Sequence, residues 1–150
     1  MLDGCEIKKR IPHRYPFLLL DRILELESGR AVAQKNVTVN EPYFRGHFPQ
    51  APVMPGVLVL ECMLQLAWLL HSDRGGSRLE RVKRLKFRRS VMPGDKLTIE
   101  VTRVGEEGSV VQLRAVARLE DKVAVEGDLW VRTDFARVAT GVEGALANVP

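Results

Sequence analysis

The 150-residue sequence has few cysteines and no long apolar run, and each of these absences excludes a class of protein. Its two cysteines, Cys5 and Cys62, are too few for a disulfide framework or a paired-cysteine zinc site. This usage fits the reducing cytoplasm, which we predict as the location. The aliphatic runs fall far short of the ~20 residues of a membrane helix, and the charged N-terminus lacks the apolar segment of a signal peptide.

Several chemistries lack their sequence motifs as well. No GxSxG nucleophile elbow, phosphate-binding P-loop or GxGxxG dinucleotide motif is present. Histidines and carboxylates do not recur at the spacing of metal ligands. We therefore predict that the protein uses neither a metal ion nor an organic cofactor.

The charge of the sequence is basic and unevenly spread. The formal net charge is +4, and residues 78–89 include seven basic residues in twelve. Such a cluster is either a solvated strand face or a docking surface for an acidic partner. Nucleic acid is not favoured, because the segment has one aromatic residue and no zinc-finger or RNP-like motif accompanies it. An acidic protein or a phosphorylated carrier suits the segment as well.

The C-terminal half alternates between apolar and polar residues with a period of two. Between Leu97 and Val131 most of the apolar residues fall on odd positions. This pattern predicts antiparallel strands with one face inward and one face in water. Turns are predicted at 105–108 and 120–122. Further strands are predicted at three earlier segments: 18–26, 31–39 and 81–91.

One segment has a different pattern. Residues 55–71, PGVLVLECMLQLAWLLH, are apolar on almost every side, and their composition and length favour a helix. A helix that is apolar on every side must be buried on every side. The sequence therefore predicts an α+β hot-dog fold, in which an antiparallel sheet wraps around one long buried helix.

Two polar residues, Glu61 and Gln65, lie in the middle of this predicted helix and share a face because they are four residues apart. A buried Glu61 is either a structural group that Gln65 satisfies or a functional acid. We favour the acid, since unpaired carboxylates are almost never fully buried. Apolar surroundings disfavour the charged form, which would keep Glu61 protonated as a general acid requires.

A candidate base and a polarising N–H precede the helix. His47 begins a loop rich in proline and glycine that leads directly to the helix, a position that favours a catalytic base over a surface residue. The Gly56 N–H at the helix start would stabilise a carbonyl oxygen that gains charge. A base, an acid and such an N–H suit proton abstraction beside a carbonyl followed by loss of a β-substituent, which is a dehydration.

The other candidate groups are weaker. His13 lies in a predicted turn, and His71 at the helix C-terminus is attributed to the helix dipole. Cys62 follows Glu61 on the helix and points elsewhere, so we predict a small core residue and not a nucleophile.

Three segments carry a family resemblance: IPHRYPFLLLDRI (11–23), NVTVNEPYFRGHFPQAPVMPGVLVLECMLQLA (36–67) and LKFRRSVMPGDKL (85–97). They resemble the FabZ-type (3R)-hydroxyacyl-[acyl-carrier-protein] dehydratases, over residues 8–133 and most specifically in the HFP…PVMPG…E block. The resemblance implies conversion of a (3R)-hydroxyacyl carrier protein to the trans-2-enoyl form and water, in type II fatty-acid synthesis or a related lipid or polyketide pathway.

The resemblance also implies catalytic roles. His47 would deprotonate C2, Glu61 would protonate the departing 3-hydroxyl, and the Gly56 N–H would bind the thioester carbonyl. Related FabA-type enzymes, which also isomerise the double bond, carry aspartate at the position of Glu61, so the glutamate favours dehydration alone. Members form homodimers, often trimers of dimers, whose sites take the histidine and the acid from different subunits.

Binding roles are implied in the same way. The residues expected beside the acyl substrate are Phe48, Gly56, Val57 and Gln65. Basic residues outside the apolar acyl tunnel would receive the acidic acyl carrier protein, and those expected here are Lys83, Lys86, Arg88 and Arg89.

Two departures from the family and two other functions remain open. Gln50 stands where the family usually has glycine, and residues 134–150 form an unassigned extension beyond the predicted dehydratase domain, residues 1–133. A hot-dog acyl-thioesterase would also use a carboxylate and the helix N–H. A non-catalytic acyl-binding module is less favoured, because it has no use for His47 and Glu61.

Overall fold

The computed structural model describes residues 1–47 and 50–133. Its six strands are β1 (Arg22–Glu27), β2 (Arg30–Asn36), β3 (Arg78–Phe87), β4 (Lys96–Glu107), β5 (Val110–Leu119) and β6 (Lys122–Arg132). Its two α-helices are α1 (Gly4–Arg10) and α2 (Gly56–Leu70), and short 3₁₀ helices span Pro42–Arg45 and Ser72–Arg74. No helix in the described ranges is long and apolar enough to cross a membrane.

All six strands form one antiparallel sheet in the order β1-β2-β4-β5-β6-β3, and α2 packs against five of them. The period-two pattern sets the register of its centre. Leu97 lies opposite Leu119 and Leu113 lies opposite Leu129, so the odd-numbered apolar side chains face α2 together. Leu97, Leu113 and Leu129 are fully buried. The predicted sheet wrapped against one long helix is therefore present.

The hairpin between β4 and β5 is tighter than the sequence predicted. Glu107 pairs with Val110, so the strands continue through the predicted turn and only Gly108 and Ser109 connect them. Gly108 has a φ of +62°, a left-handed conformation that glycine adopts without a steric cost. The glycine at the first of the two loop positions thus allows the longer ladder.

The N-terminal helix α1 was not predicted. Its start is a capping box, in which the Asp3 side chain accepts from the Glu6 N–H and the Glu6 side chain accepts from the Asp3 N–H. Ile7 is its one fully buried residue and joins the core under β1. The Asp-x-x-Glu spacing was the signal available in the sequence.

Helix α2 is buried on one side and partly uncovered on the other. Val59, Cys62, Met63, Leu66 and Leu69 face the sheet and are at most 1% exposed. The prediction of burial on every side is wrong. Val57 is 67% exposed, and with four partly exposed neighbours it forms what we call the outer stripe: Val57, Leu60, Glu61, Leu64 and Trp68.

Candidate active site

A pocket of about 440 Å³ lies where the loop that carries His47 meets the start of α2 and the end of β3. It brings together five residues of the predicted site: His47, Gly56, Val57, Arg88 and Arg89. The rest of its wall is mostly apolar and consists of Val53, Met54, Val59, Phe87, Ser90, Val91 and Val125. An apolar pocket with a few polar groups at one end is typical of a site for a small apolar ligand or an acyl chain.

His47 is held by two hydrogen bonds to one residue. Its Nδ1 lies 2.8 Å from the Val53 carbonyl oxygen, and the Val53 N–H donates to the His47 carbonyl oxygen at 3.1 Å. Because a carbonyl only accepts, the neutral ring carries its proton on Nδ1 and its lone pair on Nε2. This arrangement orients the imidazole as a base that acts through Nε2.

The segment before His47 is anchored by a buried ion pair. Lys35 points inward from β2, is only 3% exposed, and donates to the Glu41 carboxylate at 2.5 Å. The Tyr43 hydroxyl donates to the same carboxylate. A buried charge requires such a partner, so Glu41 and the 3₁₀ helix that follows it have a fixed position relative to the sheet. This pair was not predicted from the sequence, because Lys35 interrupts the apolar positions of β2 and therefore looks like a surface charge.

Gly56 begins α2, and its small size is required by a neighbour. A Cβ atom at this position would lie 2.4 Å from the ring of Phe87. The N–H groups of Gly56 and Val57 belong to the first helical turn, where the helix itself supplies no acceptor. Both residues line the pocket, and their N–H groups lie at the positive end of the helix dipole. Such N–H groups stabilise an oxygen that gains negative charge.

Glu61 lies outside this pocket. Its side chain is in the outer stripe and 36% exposed, so the predicted fully buried acid is not present in a single chain. The physical reason is that the sheet covers only the opposite side of α2. Its Oε1 accepts from Gln65 Nε2 at 3.1 Å and lies 3.5 Å from His13 Nε2. Within one chain, the candidate acid and the candidate base line different surfaces.

Gln65 is fully buried and does not line the pocket. Its Oε1 accepts from the Leu19 N–H at 3.0 Å, and its Nε2 donates to the Phe17 carbonyl at 2.6 Å as well as to Glu61. Both amide hydrogens are therefore used within the protein. This placement does not support the predicted substrate contact and makes Gln65 a support for Glu61. Phe48, the remaining predicted substrate residue, lies outside the described residues.

The four predicted carrier-binding residues differ in their surroundings. Arg88 and Arg89 line the pocket, although Arg88 also pairs with Glu126 at 3.3 Å. Lys83 Nζ lies 5.8 Å from the centroid of the Trp130 ring, on the outer face of the sheet. Lys86 is exposed opposite Glu126 in the β3–β6 register. Only the arginines adjoin the pocket that holds His47.

Cys62 and His71 do not line the pocket that holds His47. Cys62 is fully buried, and burial raises the pKa of its thiol to about 12, so the thiolate of a nucleophile is not formed. His71 is also fully buried, and burial lowers the pKa of its ring. Its Nδ1 lies 2.8 Å from the Ala67 carbonyl oxygen. The expected interaction of a cation with the helix dipole is therefore wrong, since the neutral ring caps a carbonyl. Among the described residues no group of histidine, cysteine and acidic side chains could hold a metal ion.

Comparison with known proteins identifies the family of the chain. Residues 11–128 match the family model of the FabA-like domain. The 3-hydroxyacyl-[acyl-carrier-protein] dehydratase FabZ of Streptococcus pneumoniae (strain CGSP14) is 44% identical over 134 residues, which cover 86% of this chain and 96% of that protein. The FabZ protein of Streptococcus sanguinis (strain SK36) is 43% identical with the same coverage.

Solved structures extend the comparison to more distant proteins. The dehydratase heterocomplex ApeI:P from Xenorhabdus doucetiae aligns with a TM-score of 0.70 at 15% identity, over 88% of this chain and 95% of that chain. A hypothetical thioesterase with coenzyme A from Streptococcus pneumoniae TIGR4 aligns with a TM-score of 0.62 at 12% identity, over 74% and 83%. At such identities the likeness shows the fold alone, and it confirms the predicted hot-dog fold. The family model and the identity to curated relatives show more, and the chain belongs to the FabZ dehydratases of the FabA-like family.

Proposed function

We propose that the protein dehydrates (3R)-3-hydroxyacyl groups carried by an acyl carrier protein to trans-2-enoyl groups, in the synthesis of fatty acids or related lipids. The observation that carries this proposal is the pocket, which places His47 Nε2 as a base near the N–H groups at the start of α2. The curated relatives at 43–44% identity are named for this reaction.

The reaction needs a base, an acid and a place for charge. His47 Nε2 takes a proton from C2, and the electron pair of that C–H bond becomes the C2=C3 double bond as the C3–O bond breaks. Negative charge that develops on the thioester oxygen is stabilised by the Gly56 N–H. Glu61 donates a proton to the departing hydroxyl, which leaves as water, and a proton transferred from His47 restores the acid.

The acid comes from a second copy of the chain. Glu61 lies in the outer stripe, away from the pocket of its own chain, so one chain holds an incomplete site. Val57 belongs both to that stripe and to the pocket wall, which means that a second chain covering the stripe would also close the pocket. A two-fold dimer then gives each pocket the His47 of one subunit and the Glu61 of the other.

The sheet provides a second surface for this dimer. Strand β3 is ten residues long and pairs only with β6 among the described strands, so its outer edge offers a row of backbone donors and acceptors. Long unpaired edges are normally covered. Pairing of two β3 strands would extend the sheet across the dimer, and such dimers could assemble further into a trimer of dimers.

The acyl carrier protein binds at the mouth of the pocket in this proposal. Arg88 and Arg89 line the pocket, and they also line an adjoining groove that includes Lys96 and Lys122. An acidic carrier that docked on these four basic residues would direct its acyl thioester toward His47.

The two free cysteines continue to favour the cytoplasm as the location of the protein.

A product assay separates this function from its alternatives. The purified protein is mixed with a (3R)-3-hydroxyacyl pantetheine thioester, and both the conjugated enoyl thioester and the free thiol are measured. We expect the enoyl thioester to form with a kcat that Glu61→Gln lowers by about 10²–10⁴-fold, without release of thiol. Release of thiol alone would indicate a thioesterase, and binding without either product would indicate an acyl-binding module.

A further inference from the structure

His13 contacts the candidate acid from outside its helix. It lies between α1 and β1, and its Nε2 is 3.5 Å from Glu61 Oε1. The His13 ring meets the ring of Trp68 edge to face, with centroids 5.8 Å apart and an interplanar angle of 87°. Trp68 follows Glu61 by two helical turns, so the imidazole bridges the outer stripe from the tryptophan to the carboxylate.

Both the backbone and the ring of His13 are held in place. The Arg14 guanidinium donates to the carbonyl oxygens of His13, Ile11 and Lys8 at 2.8, 2.8 and 2.9 Å. The ring rests on Trp68, which in turn packs on Gly76, where a Cβ atom would lie 2.1 Å from the indole. These contacts fix the direction of the imidazole relative to α2.

The surroundings of the ring decide which nitrogen carries the proton. Nδ1 is buried, and among residues 1–47 and 50–133 it has no hydrogen-bond partner. Buried N–H groups without an acceptor are rarer than unpaired acceptors, and Nε2 faces an oxygen that accepts, so the proton of the neutral ring lies on Nε2. Burial also lowers the pKa of His13, which favours the neutral ring near pH 7. The imidazole therefore presents one N–H to the carboxyl of Glu61.

Two N–H groups thus approach the same oxygen of Glu61. Gln65 Nε2 donates to Oε1 at 3.1 Å. His13 Nε2 lies 3.5 Å from the same oxygen, a distance slightly longer than that of an ordinary hydrogen bond. Catalytic hydrogen bonds are often long without substrate and shorten in the complex. With Oε1 used as an acceptor, Oε2 is the oxygen that carries the acidic proton.

We propose that His13 is a positioning residue, which together with Gln65 fixes the Glu61 carboxyl so that Oε2 delivers its proton to the departing hydroxyl. This inference rests on the proposed dehydration and adds a residue to its site. Without His13, the carboxyl retains one donor, turns more freely and presents its proton in the wrong direction for part of the time. The loss therefore falls on kcat and leaves KM nearly unchanged.

Two substitutions at His13 test this role. His13→Leu removes the N–H and fills the space, whereas His13→Gln keeps an N–H near the position of Nε2. We expect His13→Leu to lower kcat by on the order of tenfold with KM within about twofold, and His13→Gln to recover most of the loss. His71→Leu is the matched control, because it removes a buried histidine from the end of α2 without touching Glu61. A wild-type kcat in His13→Leu, or equal losses in the leucine and glutamine variants, would overturn the proposal.

A second measurement does not depend on activity. Long-range ¹H–¹⁵N spectra report the protonated nitrogen of each of the three histidines, which are assigned by substitution. We expect an Nε2–H tautomer for His13, with a ring resonance that shifts in Glu61→Gln. An Nδ1–H tautomer, or a His13 ring that does not respond to Glu61→Gln, would overturn the pairing even in an active enzyme. If the spectra are as expected but the protein forms no enoyl product, the proposed dehydration is wrong and the pairing of His13 with Glu61 stands.

Discussion

The two sides of α2 differ in what covers them. The inner side, from Val59 to Leu69, packs on the sheet of its own chain and is at most 1% exposed. The outer stripe is apolar in sequence apart from Glu61, yet Val57 at its start is 67% exposed and Glu61 at its centre is 36% exposed. The inner side is complete within one chain and therefore serves folding. The outer stripe is incomplete, and in our proposal a second subunit completes both it and the site.

The largest expected effect concerns catalysis across the two subunits. His47→Ala and Glu61→Gln should each lower kcat by about 10²–10⁴-fold, since each removes one proton-transfer group. A mixed dimer of the two variants holds one site with both changes and one site with neither. Unfolding the two variants together and refolding them should restore roughly a quarter of the sites, given random pairing in a two-fold dimer.

The control for this experiment is refolding of each variant alone, which should recover no more than the residual activity of that variant. If mixed dimers form, as native mass spectrometry would show, and activity does not return, then His47 and Glu61 of one site come from the same chain.

The next effect separates folding from assembly. Leu66→Ala on the inner side should lower the free energy of unfolding by about 2–5 kcal/mol, because it leaves a cavity in a fully buried cluster. Leu64→Asp in the outer stripe should instead dissociate the dimer and leave the chain folded, since a charge in that contact has no partner. Chemical denaturation and sedimentation velocity measure the two effects.

Val104→Asp is the matched control for Leu64→Asp, because Val104 is an exposed apolar residue of β4, 56% exposed and outside the outer stripe. A Leu64→Asp protein that sediments like wild type would contradict the assignment of the stripe to the subunit contact.

The smallest effect concerns the mouth of the pocket. Arg88→Ala with Arg89→Ala should raise KM for an acyl carrier protein substrate about tenfold at low salt, and less at high salt, because the contact is electrostatic. The rise for a pantetheine thioester should be smaller. Lys83→Ala with Lys86→Ala should have a weaker effect, since these lysines do not line the pocket.

Lys8→Ala with Lys9→Ala provides a charge-matched control on α1, which packs at the opposite edge of the sheet from β3. If this control raises KM as much as the arginine variant does, the effect comes from net charge and not from a docking surface.

Local patterns in the sequence predicted the sheet and α2 well. The alternation from Leu97 to Val131 determines which side chains face inward, and it needs no information from distant parts of the chain. The same reasoning failed for the burial of Glu61. An apolar pattern on every side of a helix predicts that every side is covered. The pattern does not tell whether the covering residues belong to the same chain.

Long-range pairs were the other part that the sequence could not reveal. His13 and Glu61 are far apart in the chain and meet only because the segment before β1 crosses α2. Lys35 and Glu41 look like ordinary surface charges until the inward direction of position 35 is known. His47 and Gly56, by contrast, are close in sequence and were predicted together, because one short loop joins the histidine to the start of the helix.

The contact between Gly56 and Phe87 joins the mouth of the pocket to the start of α2. The ring of Phe87 occupies the place of a side chain at the start of α2, and the next two residues after it are Arg88 and Arg89 at the pocket mouth. In our proposal, a carrier that displaced this arginine pair would therefore also move the aromatic ring that packs on the N–H proposed to bind the carbonyl. Arrival of the carrier and alignment of its acyl group would then be coupled through a single side chain.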